Sequence, residues 1–89
     1  MKIKINKCWW RLIFKPKVKH EGDDCFGVCW HRSRRIEVAT DVDEKEIMDT
    51  IVHEMLHASD RNQKEEWVAR TAFDITNALW RLGYRRPRE

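Results

Sequence analysis

The run His53-Glu54-Met55-Leu56-His57, set inside a segment without glycine or proline, limits what this chain can fold into more than any other feature. Residues four apart on an α-helix lie on one face, one turn apart. A helix through this run therefore places the imidazoles of His53 and His57 side by side, where both can bind one zinc ion. Glu54, next to the first histidine, is then positioned to act as general base toward a water activated by the metal. A chance H-E-x-x-H match in a chain with four histidines arises about once in a hundred. The flanks must therefore supply a helix, a third ligand and an apolar surround.

The flanks do supply a helix. Asp43 and Glu46 have the spacing of an N-cap and its capping-box partner. Ile47, Met48, Ile51, Val52, Met55 and Leu56 recur at helical spacing and predict a helix over 43–58 with a broad apolar stripe. Asp49 and Thr50 interrupt that stripe one turn before His53. Histidines and a glutamate in so apolar a helix are costly without partners, which favours a metal over half-exposed core histidines bonded to backbone.

Arg61-Asn62-Gln63-Lys64 is polar and reads as a connection. Glu65-Glu66-Trp67 opens a second helix, 65–82, which Gly83 ends, with Pro87 beyond it. Acidic residues suit a helix N-terminus through its dipole, so one of the two glutamates is ordinary first-turn acid. Glu65 shares a face with Val68, Ala69, Ala72, Ile75 and Leu79; Glu66 is turned toward Ala69, Arg70, Phe73 and Asn77. Glu65 is the expected third metal ligand and Glu66 the second choice. Asp60 is a third, and could equally orient His57 or close the helix end.

The first 40 residues read as strands. Lys2 to Ile5 alternates charge with isoleucine. In Trp9 to Phe14, Trp10, Leu12 and Phe14 alternate against Trp9, Arg11 and Ile13, and Pro16 ends the strand. Glu21-Gly22-Asp23-Asp24 is a turn. Cys25 to His31 is a third strand and Arg35 to Ala39 a fourth, with Ser33 and Arg34 at the hairpin between them. Gly27 within a strand points to a bulge or to close approach by another backbone. The expected fold class is α+β. A sheet of three to four strands, antiparallel or mixed, packs on the H-E-x-x-H helix and a C-terminal helix, in a single domain spanning 1–89.

Thr50-Ile51-Val52-His53-Glu54-Met55-Leu56-His57-Ala58, followed by a helix from Glu65 to Tyr84, resembles the small H-E-x-x-H zincins of the gluzincin type. The Glu65-x-x-Val68-Ala69 spacing is similar to the E-x-x-A pattern of ImmA/IrrE-type regulatory peptidases. The segments Ala72 to Ile75 and Ala78 to Tyr84 also look like the second helix of short zinc-peptidase-like proteins encoded by phages and prophages. The resemblance covers roughly the last half of the chain by motif and the first half only by pattern. It implies a minimal zincin-like domain, a Zn²⁺ cofactor and a metallopeptidase with Glu54 as catalytic base and His53, His57 and Glu65 as ligands. It also implies a peptide or protein as substrate or partner, held by strand addition at a sheet edge near Arg35 to Ala39 or its neighbour. Tyr84, His20 and His31 are alternatives for an oxyanion donor.

Composition bounds the remaining readings. No apolar run approaches membrane-spanning length, and Met1 to Ile5 does not read as a signal peptide, so a cytoplasmic location is expected: the bacterial host's if the chain is phage-encoded. Three cysteines form no closed disulfide framework. A zinc knuckle from Cys25, Cys29 and His31 has an unusual spacing, and reduced, partly buried strand cysteines are expected instead. Five tryptophans fill a small core efficiently, although Trp9 and Trp10, being adjacent, must face opposite ways.

Basic clusters at Lys15-Lys17-Lys19-His20, Arg32-Arg34-Arg35 and Arg81-Arg85-Arg86-Arg88 read as solvated surface. Eighteen basic residues are offset by 15 acidic ones, and no nucleic-acid motif is present, so nucleic acid is not the expected partner. The alternative to a peptidase is a zinc-binding, non-catalytic interaction module. A basic nucleic-acid-binding protein ranks behind both.

Overall fold

In a computed structural model, which describes residues 1–87, the chain opens with a tight hairpin. β1 (Lys2–Ile5) and β2 (Cys8–Lys15) are antiparallel, joined by Asn6 and Lys7 at φ 48° and 68°. Positive φ at both central residues makes the turn whose twist matches its strands, and asparagine tolerates that backbone better than most residues. Glu21 (φ 53°) and Gly22 (φ 86°) join β3 (Val18–His20) to β4 (Asp23–Cys25) in the same way. β5 (Gly27–Trp30) then turns back into β6 (Arg35–Ala39).

The strand expected from Cys25 to His31 is thus two strands, and 18–20 is a strand where none was expected. The reason is a change of partner. Cys25 pairs with Val18, whereas Gly27 pairs with Val38, so the chain passes from one sheet to another at Phe26. The larger sheet has the order β1-β2-β6-β5, with β2 and β6 parallel and the other pairs antiparallel; β3 and β4 form a separate two-stranded sheet. The fold is α+β with a mixed four-stranded sheet and two helices. β6 is hydrogen-bonded along both edges, so the free edge beside the helices belongs to its neighbour β5 and not to Arg35–Ala39.

The helix α1 (Glu44–Ser59) covers one face of the sheet. Its Ile47 joins Ile5, Trp10, Leu12, Ile36 and Val38 in the core, with Phe14, Ile51 and Met55 packed around them. Each such buried side chain contributes about 1.5–3 kcal/mol. Asp43 caps α1 as expected, its Oδ1 accepting from the Glu46 backbone N–H at 2.9 Å. At the other end of the helix Asn6 Nδ2 donates to the Ser59 carbonyl at 2.8 Å, tying the first hairpin to the helix terminus.

β3 packs against β5 and β6. Val18 of β3 is fully buried, and Ala39 of β6 is buried as well. Trp10 points into the core while Trp9, on the other face, is 56% exposed, as the alternation requires.

The helix α2 (Glu65–Arg81) packs on α1. Its buried positions are Val68, Ala72 and Thr76. Thr76, not Ile75, takes the core position, because the stripe advances by four residues each turn and leaves Ile75 on its flank, 37% exposed. Gly83 (φ 94°) ends the helix: its N–H donates to the Trp80 carbonyl, and that of Tyr84 to the Leu79 carbonyl, both at 3.1 Å. This paired arrangement satisfies the last carbonyls of a helix and calls for glycine.

The segment after Gly83 is not a free basic tail. Arg86 reaches Glu44 with Nη2 at 3.0 Å and Nε at 3.3 Å, and Arg85 stacks on the Trp80 ring, 3.3 Å from its centroid. Arg88 lies outside the described residues. Among the described residues no helix is long and apolar enough to cross a membrane.

Candidate metal centre

α1 and the first turn of α2 bring three donor groups together. His53 and His57 lie one helical turn apart, with ring centroids 4.9 Å from each other. Glu65, the first residue of α2, spans them: its Oε1 is 2.9 Å from His53 Nε2 and its Oε2 is 2.7 Å from His57 Nε2. All three donor atoms lie within 4.8 Å of one another, and among the described residues no other group of three or more His, Cys, Asp or Glu is so arranged. Bonds of about 2.0–2.2 Å to a common ion set donors roughly 3.3 Å apart, so these three side chains fit a small divalent cation with minor adjustment. Two imidazoles and a carboxylate also suit zinc by donor chemistry.

Glu66 and Asp60 do not join this group. Glu66 is exposed in the first turn of α2. Asp60 closes α1: its backbone N–H donates to the Leu56 carbonyl at 3.1 Å, and its carboxylate accepts from Asn62 N–H at 3.0 Å. This is the helix-end role noted for it from sequence.

Glu54 is buried beside the histidines, only 8% exposed. Burial pushes its carboxyl above the ordinary carboxylate range. The neighbouring His53 and His57 oppose that shift and Glu65 adds to it. A raised pKa suits a general base.

Gly27 makes this placement possible. A Cβ there would lie 2.6 Å from Thr50 Cγ2, 3.0 Å from the Glu37 carbonyl oxygen and 3.2 Å from Glu54 Cγ. The close approach read from the sequence is therefore real, but it is made mostly by side chains of α1 lying on the strand. Thr50 and Asp49, which interrupt the apolar stripe, are explained by their neighbours. Thr50 sits over Gly27 and donates to the Glu46 carbonyl at 2.9 Å; Asp49 accepts from Thr76 Oγ1 of α2 at 3.4 Å.

A cleft of about 670 Å³ runs along these residues. One wall carries Glu46, Asp49, Thr50, His53, Glu54 and His57 of α1, with Glu65 and Ala69 of α2. The other carries His20, Cys25, Phe26, Gly27 and Val28. Of the oxyanion donors considered from sequence, His20 lines the cleft; its ring meets Trp30 edge-on at 5.5 Å. Tyr84 is 62% exposed beyond the end of α2 and is not in the lining. His31 is also outside the lining and contacts Trp10 edge-on; burial lowers its pKa, with Arg61 and His57 acting in the same direction. The role of the β3–β4 hairpin as the facing wall was not foreseen. The turn residues Glu21-Gly22 between two short segments are the signal the sequence carries for it.

Cys25, Cys29 and His31 do not form a metal group. Cys29 Sγ lies 3.7 Å from His31 Nε2, and burial pushes its thiol up to about 12. The thiolate is the reactive form. Alkylation with iodoacetamide at about pH 8 is therefore expected to leave Cys29 unmodified in the native protein and to label it after denaturation. Rapid native labelling, read by peptide mass spectrometry, would contradict that burial.

Compared with known proteins, the chain matches no family model, no curated protein and no solved structure.

Proposed function

We propose that this protein is a zinc-dependent peptidase of the H-E-x-x-H, zincin-like type, acting on an extended peptide or a flexible protein segment. The observation that carries this reading is the convergence of His53, His57 and Glu65 on one point, with Glu54 buried beside them at the floor of a cleft. His53 and His57 would hold the ion through Nε2 and Glu65 through its carboxylate. Zinc in that position supplies Lewis acidity, which acidifies water and polarises a carbonyl oxygen.

The chain's own groups do the rest. Glu54 takes the proton of the attacking water and passes it to the leaving amine. His20, from the opposite wall, donates a hydrogen bond to the carbonyl oxygen as negative charge develops on it. The free edge of β5, with Gly27 and Val28 in the cleft, pairs with the backbone of an extended substrate and orients the scissile bond.

A second reading is a zinc-binding interaction module without catalysis. The openness of the site favours it: the Glu65 side chain is 67% exposed, and exposed charges gain less from their surroundings than enclosed ones.

Metal content of the purified protein tests the shared part of both readings. One zinc per chain is expected, lost in His53→Ala and in Glu65→Ala and retained in Glu66→Ala. Wild-type protein that neither carries zinc nor takes it up on titration would remove both readings. Loss in Glu66→Ala instead of Glu65→Ala would displace the third ligand.

A further inference from the structure

Strand register assembles a cationic row that no cluster in the sequence announces. Lys2 of β1 stands opposite Arg11 of β2, and Arg11 stands opposite Arg35 of β6. Paired residues share a face, so the three charges lie across three adjacent strands, about 4.8 Å from strand to strand. This is the face away from α1. Like charges directly opposed destabilise a sheet, so the row costs stability in the free protein. Arg35 is relieved by Glu37, whose Oε2 is 3.1 Å from its Nε. Lys2 and Arg11 meet no carboxylate among the described residues. Arg32 and Arg34 are exposed in the turn between β5 and β6, and the Arg34 carbonyl accepts from Arg11 N–H at 2.9 Å.

Indoles flank the charges. Trp9 lies on the same face beside Lys4, whose Nζ is 5.1 Å from the ring centroid, and Trp30 stands opposite Arg35, whose Cζ is 5.6 Å from its ring. The other basic stretch of the β region behaves differently. Lys15, Lys17 and Lys19 are paired with Glu37, Asp41 and Asp24. The β1–β2–β6 face thus carries Lys2 and Arg11 without an ion-pair partner beside an exposed tryptophan.

We infer that this face binds single-stranded nucleic acid, at a surface separate from the metal centre. The cationic row takes the phosphates, and Trp9 offers a ring on which an unpaired base stacks. Charge complementarity alone would also suit an acidic protein. The exposed indole set among the charges favours a ligand that carries planar rings on a polyanionic backbone.

Fluorescence anisotropy with a labelled oligothymidylate of about 20 nucleotides tests this on the full chain. Binding is expected at low salt, weakening steeply as salt rises. Arg11→Glu should weaken it about tenfold or more, and Trp9→Ala also by about tenfold. Arg70→Glu and Arg81→Glu, on the exposed side of α2, should leave it unchanged. Arg11→Gln keeps the inference testable if the charge reversal unfolds the protein. It should weaken binding while raising the thermal midpoint, because it removes a like-charge contact. Absence of binding at low salt, or binding indifferent to both Arg11 variants, overturns the inference. If polyglutamate competes as well as the oligonucleotide and Trp9→Ala has no effect, the partner is an acidic protein and the nucleic-acid assignment fails.

Discussion

Glu54→Gln is expected to reduce peptide hydrolysis by about a thousandfold while leaving zinc stoichiometry and fold intact. The substitution keeps the shape of a buried side chain and removes only its ability to accept a proton. Glu54 has no hydrogen-bond partner among the described residues, and burial disfavours its charged form. A neutral amide therefore removes a desolvation cost, and the thermal midpoint of the variant should equal or exceed that of the parent. This combination, activity lost and stability kept, separates a chemical role from a structural one. Retained hydrolysis in Glu54→Gln would sink the peptidase reading. Zinc-loaded wild type without hydrolysis, whose biological effect survives Glu54→Gln, would establish the interaction module.

Gly27→Ala carries the next largest effect. Its methyl group would meet Thr50 Cγ2, the Glu37 carbonyl and Glu54 Cγ at distances that require something to shift. Overpacking of this kind costs about 1–3 kcal/mol, which for a domain of this size lowers Tm by about 10 °C. The double variant Gly27→Ala with Thr50→Ser should recover part of the loss. Serine removes the offending methyl and keeps the hydroxyl that donates to the Glu46 carbonyl. Recovery is partial because the Glu37 carbonyl, which is backbone, stays in place. Strong positive coupling in this cycle would place α1 directly on β5 in solution. If denaturation curves of Gly27→Ala and wild type coincide, the helix does not seat there.

Features set within one or two helical turns are legible in the sequence. Asp43, Gly83 and the apolar periodicity placed both helices within a residue or two of their ends. The choice of Glu65 over Glu66 followed from which face each occupies. Features that depend on distant partners were not legible. The exchange of partners at Phe26 splits one apparent strand into two, because Cys25 and Gly27 each alternate acceptably but against different neighbours. The central position of β6 and the alignment of Lys2, Arg11 and Arg35 are set by register between strands far apart in sequence, which no local pattern encodes. Thr76 displaced Ile75 from the core because a polar residue with a hydrogen-bond partner, here Asp49, can occupy a buried position that hydropathy assigns to its neighbour.

The parallel seam between β2 and β6 has a consequence for how the chain reaches this state. The other strand pairings close over tight turns, and α1 and α2 are joined by a short connection. The β2–β6 pairing alone closes over the whole of β3, β4 and β5. Its loop entropy must be met before Leu12 finds Ile36 and Phe14 finds Val38. Hairpins and helices can flicker into existence early, but the two halves become one molecule only when that seam zips. The folding barrier thus sits along β2 and β6. Interactions that form only after that seam has zipped act mainly on the rate at which the finished protein comes apart.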